Sequence, residues 1–347
     1  MAGRIHRGMT GFEVYKGFYD ANNQLNFSLY RQLWYLDTIG FSTGWVNAYC
    51  DPGDIPGMVD VDNDGDLDFF GFSITGANIQ FYRNLQVEHG LPCDSIRIRL
   101  EDNCWGKISQ GFERTQYLGI SCGINRPAPP IGPDGMLDTG FLHSTFKTTL
   151  HTGNTLCFFD ADNDNDKDYL NGNISFSDIQ YLRNGKADYS WPRDTIVSQD
   201  TTWQSGGHPF HMSSWPSAFW IDYDQDGKKD IVLTPHAENA SENYKCVAWY
   251  RNTGTTGNPV YTYQGDSLLS NRTIDMGTGA YPMLYDYNKD GKLDLFVGGD
   301  GYYQSTGNLQ ASIKYYRNTS TTGQPSFTLE DDDFLAIKAE MVRGAYP

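Results

Sequence analysis

Three features of the sequence together predict an all-β fold: a β-propeller of four-stranded antiparallel blades, interrupted by one irregular insertion. An Asp-rich loop occurs four times, an aromatic tetrad ending in Arg-Asn follows each copy, and the composition favours strands and turns. Aromatic residues make up 14% of the 347 residues, Gly is abundant, and long Ala/Leu/Glu/Lys runs are missing, a bias toward strands over helices.

Taken in order, residues 1–49 (including FEVYKGFYDANNQLNFSLYRQLWYLD) read as strands of a preceding blade. From residue 50 to 347 the repeat governs. Its loops span 60–68, 160–168, 222–230 and 286–294, and its tetrads are FYRN (81–84), YLRN (181–184), WYRN (249–252) and YYRN (315–318). The unit is about 62–66 residues long, and the first interval carries about 40 more. The third unit reads SAFWID, DIVLTPH, KCVAWYRN and PVYTYQG, four β-branched and aromatic runs separated by turn residues. Four antiparallel strands at this period make one propeller blade, which must stack on its neighbours to bury both faces.

The extra span, about 90–145, contains Cys93, Cys104, Cys122 and the Pro-rich RPAPPIGPDG, and is expected to project from a blade edge. Cys93 and Cys104 are spaced for a local disulfide, while Cys157 and Cys246 lie in apolar runs as buried thiols; connectivity stays open. The final MVRGAYP repeats the GAYP that precedes the fourth loop, Tyr281 to Tyr346 being one period, so a further unit is expected to open there.

The net charge of −17 has a local origin, since the four loops alone hold seventeen Asp. A solvated acidic surface would not need carboxylates at fixed two-residue spacing. Calcium takes six to eight oxygens at roughly 2.3–2.6 Å, and a short loop supplies them when alternate side chains point inward. The candidate ligands are Asp60, Asp62, Asp64, Asp66 and Asp68, then Asp160, Asp162, Asp164, Asp166 and Asp168. The third loop offers Asp222, Asp224, Asp226, Lys228 and Asp230, and the fourth Asp286, Asn288, Asp290, Lys292 and Asp294. Position 7 of each loop (Asp66, Asp166, Lys228, Lys292) contributes its backbone carbonyl, and position 9 closes the shell. Position 6 must turn sharply, hence Gly65, Gly227 and Gly291, with Asn165 standing in. An EF-hand is excluded, because position 12 is Gly71, Asn171, Leu233 or Val297 and the flanks are strands. Up to four Ca2+ are expected, held structurally, most tightly by the first two loops and most weakly by the fourth with Asn288.

The Asp-x-Asp-x-Asp-Gly-x-x-Asp loop, an apolar strand, Tyr-Arg-Asn and a Gly/Thr turn resemble the FG-GAP/VCBS repeats of integrin-α-type β-propellers. The wider arrangement is similar to secreted Bacteroidetes proteins that carry type IX secretion sorting domains. The resemblance implies a seven-bladed propeller in full length, a secreted or cell-surface location, and the calcium ligands named above. Asn165 and Asn288 depart from the pattern.

Other chemistry is thinly represented. No Lys/Arg stripe exists to neutralise phosphates, which argues against nucleic acid, and no window approaches the ~18 apolar residues that span a bilayer. The first residues show no apolar leader. Gly119-Ile-Ser121-Cys-Gly123 matches a nucleophile elbow, yet no helical period surrounds it. His208 and His211 are separated by Pro209 with no third ligand evident, and His143 and His151 are scattered. Trp105, Trp191, Trp203 and Trp215 suit inter-blade packing, or stacking on a sugar or protein partner. The expectation is therefore a non-catalytic, calcium-binding propeller for adhesion or for binding a glycan or protein ligand. Two alternatives are a module of a secreted polysaccharide-degrading or other hydrolase, and a component of a surface or outer-membrane secretion assembly.

Overall fold

The computed structural model describes residues 2–4 (backbone), 11–37, 44–74, 76–92, 95–111, 113–121, 154–203, 206–212, 215–237, 244–255, 257–304, 308–340 and 343–347. The chain divides into two compact units, Met1–Glu242 with Cys246–Asp266, and Asn243–Lys245 with Ser267–Pro347. Each is nearly all β. Among the described residues no helix is long and apolar enough to cross a membrane.

The first unit begins with a three-stranded antiparallel sheet, β1 (Ala2–Arg4), β2 (Glu13–Tyr19) and β3 (Leu25–Gln32), then a separate hairpin, β4 (Trp34–Asp37) and β5 (Gly44–Asn47). Backbone bonds Leu33 to Phe12 and Ala48 to Leu33 join the two pieces. Three four-stranded antiparallel sheets follow. The first comprises β6 (Gly57–Val59), β7 (Asp68–Phe72), β8 (Ile79–Asn84) and β9 (Ile98–Asp102). A small pair, β10 (Ile108–Ser109) and β11 (Tyr117–Leu118), precedes the second sheet. That sheet holds β12 (Asn154–Phe159), β13 (Asp168–Asn173), β14 (Gln180–Asn184) and β15 (Ile196–Asp200). The third holds β16 (Pro216–Ile221), β17 (Asp230–Pro235), β18 (Ala248–Asn252) and β19 (Tyr261–Gly265).

The second unit contains one such sheet, β20 (Tyr281–Tyr285), β21 (Asp294–Gly298), β24 (Ile313–Asn318) and β25 (Phe327–Asp331). The hairpin of β22 (Tyr302–Tyr303) and β23 (Leu309–Gln310) is inserted between its second and third strands.

Each Asp loop is the hairpin between the first two strands of its sheet, whose last pairs are Val59–Asp68, Phe159–Asp168, Ile221–Asp230 and Tyr285–Asp294. Alternation along the strands explains why both faces are apolar. Leu156 and Phe158 pack with Phe70, Phe72, Phe81 and Trp105, whereas Cys157 and Phe159 pack with Phe210, Ile231 and Tyr250. The middle sheet is thus buried from both sides, and β12 lies beside both β6 and β16. Phe69 and Tyr82 turn the other way, toward Phe12, Leu33 and Tyr35.

Close approach fixes one residue type. A Cβ on Gly172 would fall 1.7 Å from the Pro216 carbonyl oxygen, and one on Gly298, at the same station in the second unit, 2.0 Å from that of Ala345. Ala345 also donates its N–H to Gly299, and the Tyr346 ring lies 4.6 Å from that of Tyr281, so the two GAYP segments pack together.

Part of the span expected as an insertion is built into the first sheet. Residues 98–102 form its outer strand, and Trp105 and Ile108 are core. Arg97, Ile98, Arg99, Leu100 and Glu101 alternate polar and apolar because an outer strand keeps one face wet. Cys104 is disulfide-bonded, while Cys93 and Cys122, with most of the remaining span, lie outside the described residues. Cys50 and Cys157 are buried free thiols, and Cys246 is a half-buried one. Burial pushes the Cys157 thiol up to about 12.

Candidate metal centres

All four loops fold alike, for reasons visible in the backbone. The position-1 carboxylate accepts two backbone N–H groups, from positions 5 and 6. Asp60 takes those of Asp64 and Gly65, Asp160 those of Asp164 and Asn165, Asp222 those of Asp226 and Gly227, Asp286 those of Asp290 and Gly291. Such a tight turn needs left-handed residues at positions 4 and 6: Asn63 and Gly65, Asn163 and Asn165, Gln225 and Gly227, Lys289 and Gly291. Asn165 replaces glycine here without breaking the pattern.

This winding gathers the odd-numbered side chains. Carboxylate oxygens of Asp60, Asp62 and Asp64 lie within 4.8 Å of one another, as do those of Asp160, Asp162 and Asp164, and of Asp222, Asp224 and Asp226. A further set joins Asp64, Asp66 and Glu88. Several Asp clusters could therefore hold a metal ion. The fourth loop offers two carboxylates around Asn288, whose amide donates to Asp290 at 3.0 Å.

The donor set fits a hard cation by a second criterion. Asp62 Oδ1, Asp66 Oδ1, Asp164 Oδ2 and Asp166 Oδ1 are buried without a hydrogen-bond partner. A buried acceptor left unpaired costs roughly 1–3 kcal/mol, so four in two loops mark a place for positive charge. The tetrad Arg supplies some of it. Arg83 pairs with Asp62, Arg183 with Asp162 at 2.9 Å, and Arg251 with Asp224 at 2.6 Å. In the fourth unit Arg317 turns instead to Glu330, 2.9 Å away.

Position 9 has a different setting from positions 1, 3 and 5. Asp68, Asp168, Asp230 and Asp294 are buried, and Oδ1 of each accepts the N–H of the tetrad Asn: Asn84, Asn184, Asn252 or Asn318. Oδ2 accepts the position-2 N–H from Val61, Ala161 or Tyr287, and side-chain donors from Tyr181, Trp249 and Tyr315. These four carboxylates bracket the loop to the third strand, and none is in the convergent sets. Each tetrad Asn then uses its own Oδ1 on the next turn, as Asn252 does for Gly254 and Val260. The sequence marked the tetrad as a recurring label; its bracketing role appears only in three dimensions.

The electrostatics divide the loops into two pairs. Burial, opposed by the backbone donors, pushes Asp68 and Asp168 up to about 7. Burial also pushes Asp166 up to about 6 and raises Asp66 and Asp164. In the other pair, the backbone N–H groups of Lys228 and Lys292 hold Asp226 and Asp290 below the ordinary carboxylate value. The ammonium of Lys228 lies 3.3 Å from Asp226.

Residues 222–297 match the FG-GAP-like repeat. That stretch runs from the third Asp loop through WYRN to the strand after the fourth loop. No curated protein matches the chain, and no solved structure does.

Outside the repeat's loops the other candidates do not converge. His208 stacks on Tyr263 with ring centroids 4.0 Å apart, and no histidine joins a metal-ligating group among the described residues. His143 and His151 lie outside the described residues, as does the end of the Gly119–Gly123 segment beyond Ser121. Trp105 and Trp203 pack between sheets, and Trp215 sits edge-on to His236. Trp191 is exposed, stacked on Tyr189 with Lys107 over its ring.

Proposed function

We propose that this chain is a calcium-binding, non-catalytic β-propeller protein, working outside the cell in adhesion or in binding a glycan or protein ligand. The observation that carries the reading is the convergence of three carboxylates in each of three loops, with buried carboxylate oxygens lacking any partner in the first two. Asp60, Asp62 and Asp64 would hold one ion, and the matching residues of the second and third loops one each. An all-oxygen set suits Ca2+, which accepts irregular coordination, better than Mg2+, which demands a strict octahedron and retains its waters. The role of the ion is structural: it neutralises side chains that otherwise repel in the hairpin joining the first two strands.

Extracellular calcium modules work at roughly 10⁻⁴–10⁻³ M, so a secreted or surface location goes with this reading. Resemblance alone supports the seven-blade ring, type IX export and contact with outer-membrane secretion machinery. The exposed Tyr189–Trp191 pair offers an aromatic face of the kind that stacks on sugar rings. Thermal unfolding of the full chain in EGTA and in millimolar Ca2+ tests the ion. A melting temperature indifferent to both would end the reading. Glycan-array binding without turnover tests the role, and hydrolysis abolished by Ser121→Ala would replace it with an enzyme.

A further inference from the structure

The first loop has a feature the repeat does not demand. Position 7 is Asp66, and its carboxyl shares a 4.8 Å cluster with Asp64 from the same loop and Glu88 from the connection after β8. Asp66 is only 8% exposed. Its Oδ2 accepts the Val87 N–H at 3.0 Å, while Oδ1 is buried without a partner. Arg83 pairs closely with Asp62 and more loosely with Glu88, at 3.7 Å.

The same station is occupied differently in the third and fourth loops. There position 7 is a lysine. The Lys228 ammonium lies 3.3 Å from Asp226 and donates to the Gly254 carbonyl; that of Lys292 donates to the Ser320 carbonyl at 2.8 Å. A fixed positive charge thus sits between the loop and the turn after the third strand. In the second loop Asp166 is again acidic, but Arg183 holds the Glu88 counterpart, Asp188, at 2.8 Å. In the first loop the corresponding Arg83–Glu88 contact is looser, at 3.7 Å, and among the described residues it is only here that a position-7 acid and the acid beyond the tetrad join a convergent carboxylate set.

We infer that Asp64, Asp66 and Glu88 form a second divalent-cation site in the first loop, taking Ca2+ where the third and fourth loops carry a lysine ammonium. Asp64 is shared, so the two ions of this loop would be bridged by one carboxylate. The site rests on the reading that the loops take calcium, and adds to it an ion that the nine-residue motif does not specify.

Calcium counted on the reloaded full chain, by equilibrium dialysis with elemental analysis, tests it. Glu88→Gln, at an exposed position, is expected to bind one Ca2+ fewer than the parent with an unchanged melting temperature in EGTA. Asp66→Lys, which recreates the arrangement of the third loop, is expected to lose the same single ion and to melt higher in EGTA. Asp160→Asn is the reference for an ion lost from an ordinary loop. If Asp160→Asn loses an ion while Glu88→Gln retains the full count, the loops bind calcium and the second site is overturned. If the parent itself binds none, both readings fall together.

Discussion

At the residue scale, the aspartates with identical spacing do two different jobs. Positions 1, 3 and 5 present oxygens to a common point, whereas position 9 is turned inward and consumed by backbone N–H groups. Asp168 shows this best, accepting from Asn184, Ala161 and Tyr181 at 2.7–3.2 Å. Asp168→Asn places an NH2 against a ring of donors. Leaving such groups unpaired should cost about 2–4 kcal/mol, read as a lower urea midpoint with EGTA present throughout. A loss confined to calcium-containing buffer would instead make Asp168 a ligand alone. The raised carboxyls give a pH dependence of definite sign. Asp68, Asp166 and Asp168 titrate at about 6–7 in the fold against 3.8 when free, so between those values the native state holds protons that the unfolded chain has released. Calcium-free stability from these groups is full below about pH 4 and is lost as pH rises through 7. Asp226 and Asp290, held low, stay ionised across this range; His236, lowered by burial, opposes with a single group. The urea midpoint in EGTA should therefore be higher at pH 5 than at pH 7.5. Calcium binding, which needs the ionised forms, should follow the reverse order.

At the element scale, the blade is a hairpin clamped to a third strand. The Asp loop joins strands one and two, the position-9 carboxylate ties it to the tetrad Asn, and that Asn caps the turn into strand four. Much of this was legible. The loops, the four-strand count and the apolar character of both faces follow from spacing and periodicity alone. Other parts were not, for physical reasons. The tetrad aromatic supplies a phenol or indole N–H in units two to four, but Phe81 in unit one, so its bonding cannot be read as a motif. Glu88 lies outside the nine-residue loop and reaches it only because β7 and β8 are paired. Neighbour packing is equally silent in sequence. Gly172 is required by a carbonyl from the next sheet, 44 positions on. Gly172→Ala should therefore cost about 1–3 kcal/mol by overpacking at the junction of β13 with β16, even though alanine suits a strand better than glycine. Equal or greater thermal stability of that variant would show that the sheets separate freely.

At the scale of the whole molecule, the candidate ion sites are distributed unevenly between the two units. Among the described residues the first holds the three loops with converged carboxylates and all four buried, partnerless carboxylate oxygens; the second holds the loop with Asn288 and Lys292. Ligands that bind only the native state stabilise by mass action, about 2.7 kcal/mol at a hundred times Kd, and only the unit that binds them feels it directly. The fourth loop is also less in need of help. Lys292 donates to Asp290 through its backbone and to Ser320 through its ammonium, so part of the compensating charge is already covalently present. Calcium should accordingly act regionally. Hydrogen exchange followed by mass spectrometry, with and without millimolar Ca2+, should show strong added protection at 60–68 and 160–168, less at 222–230, and little at 286–294. The order follows the acids at positions 3 and 7: Asp and Asp in the first two loops, Asp and Lys in the third, Asn and Lys in the fourth. Uniform protection across both units would mean that one cooperative transition, rather than local charge neutralisation in each hairpin, governs the response to the ion.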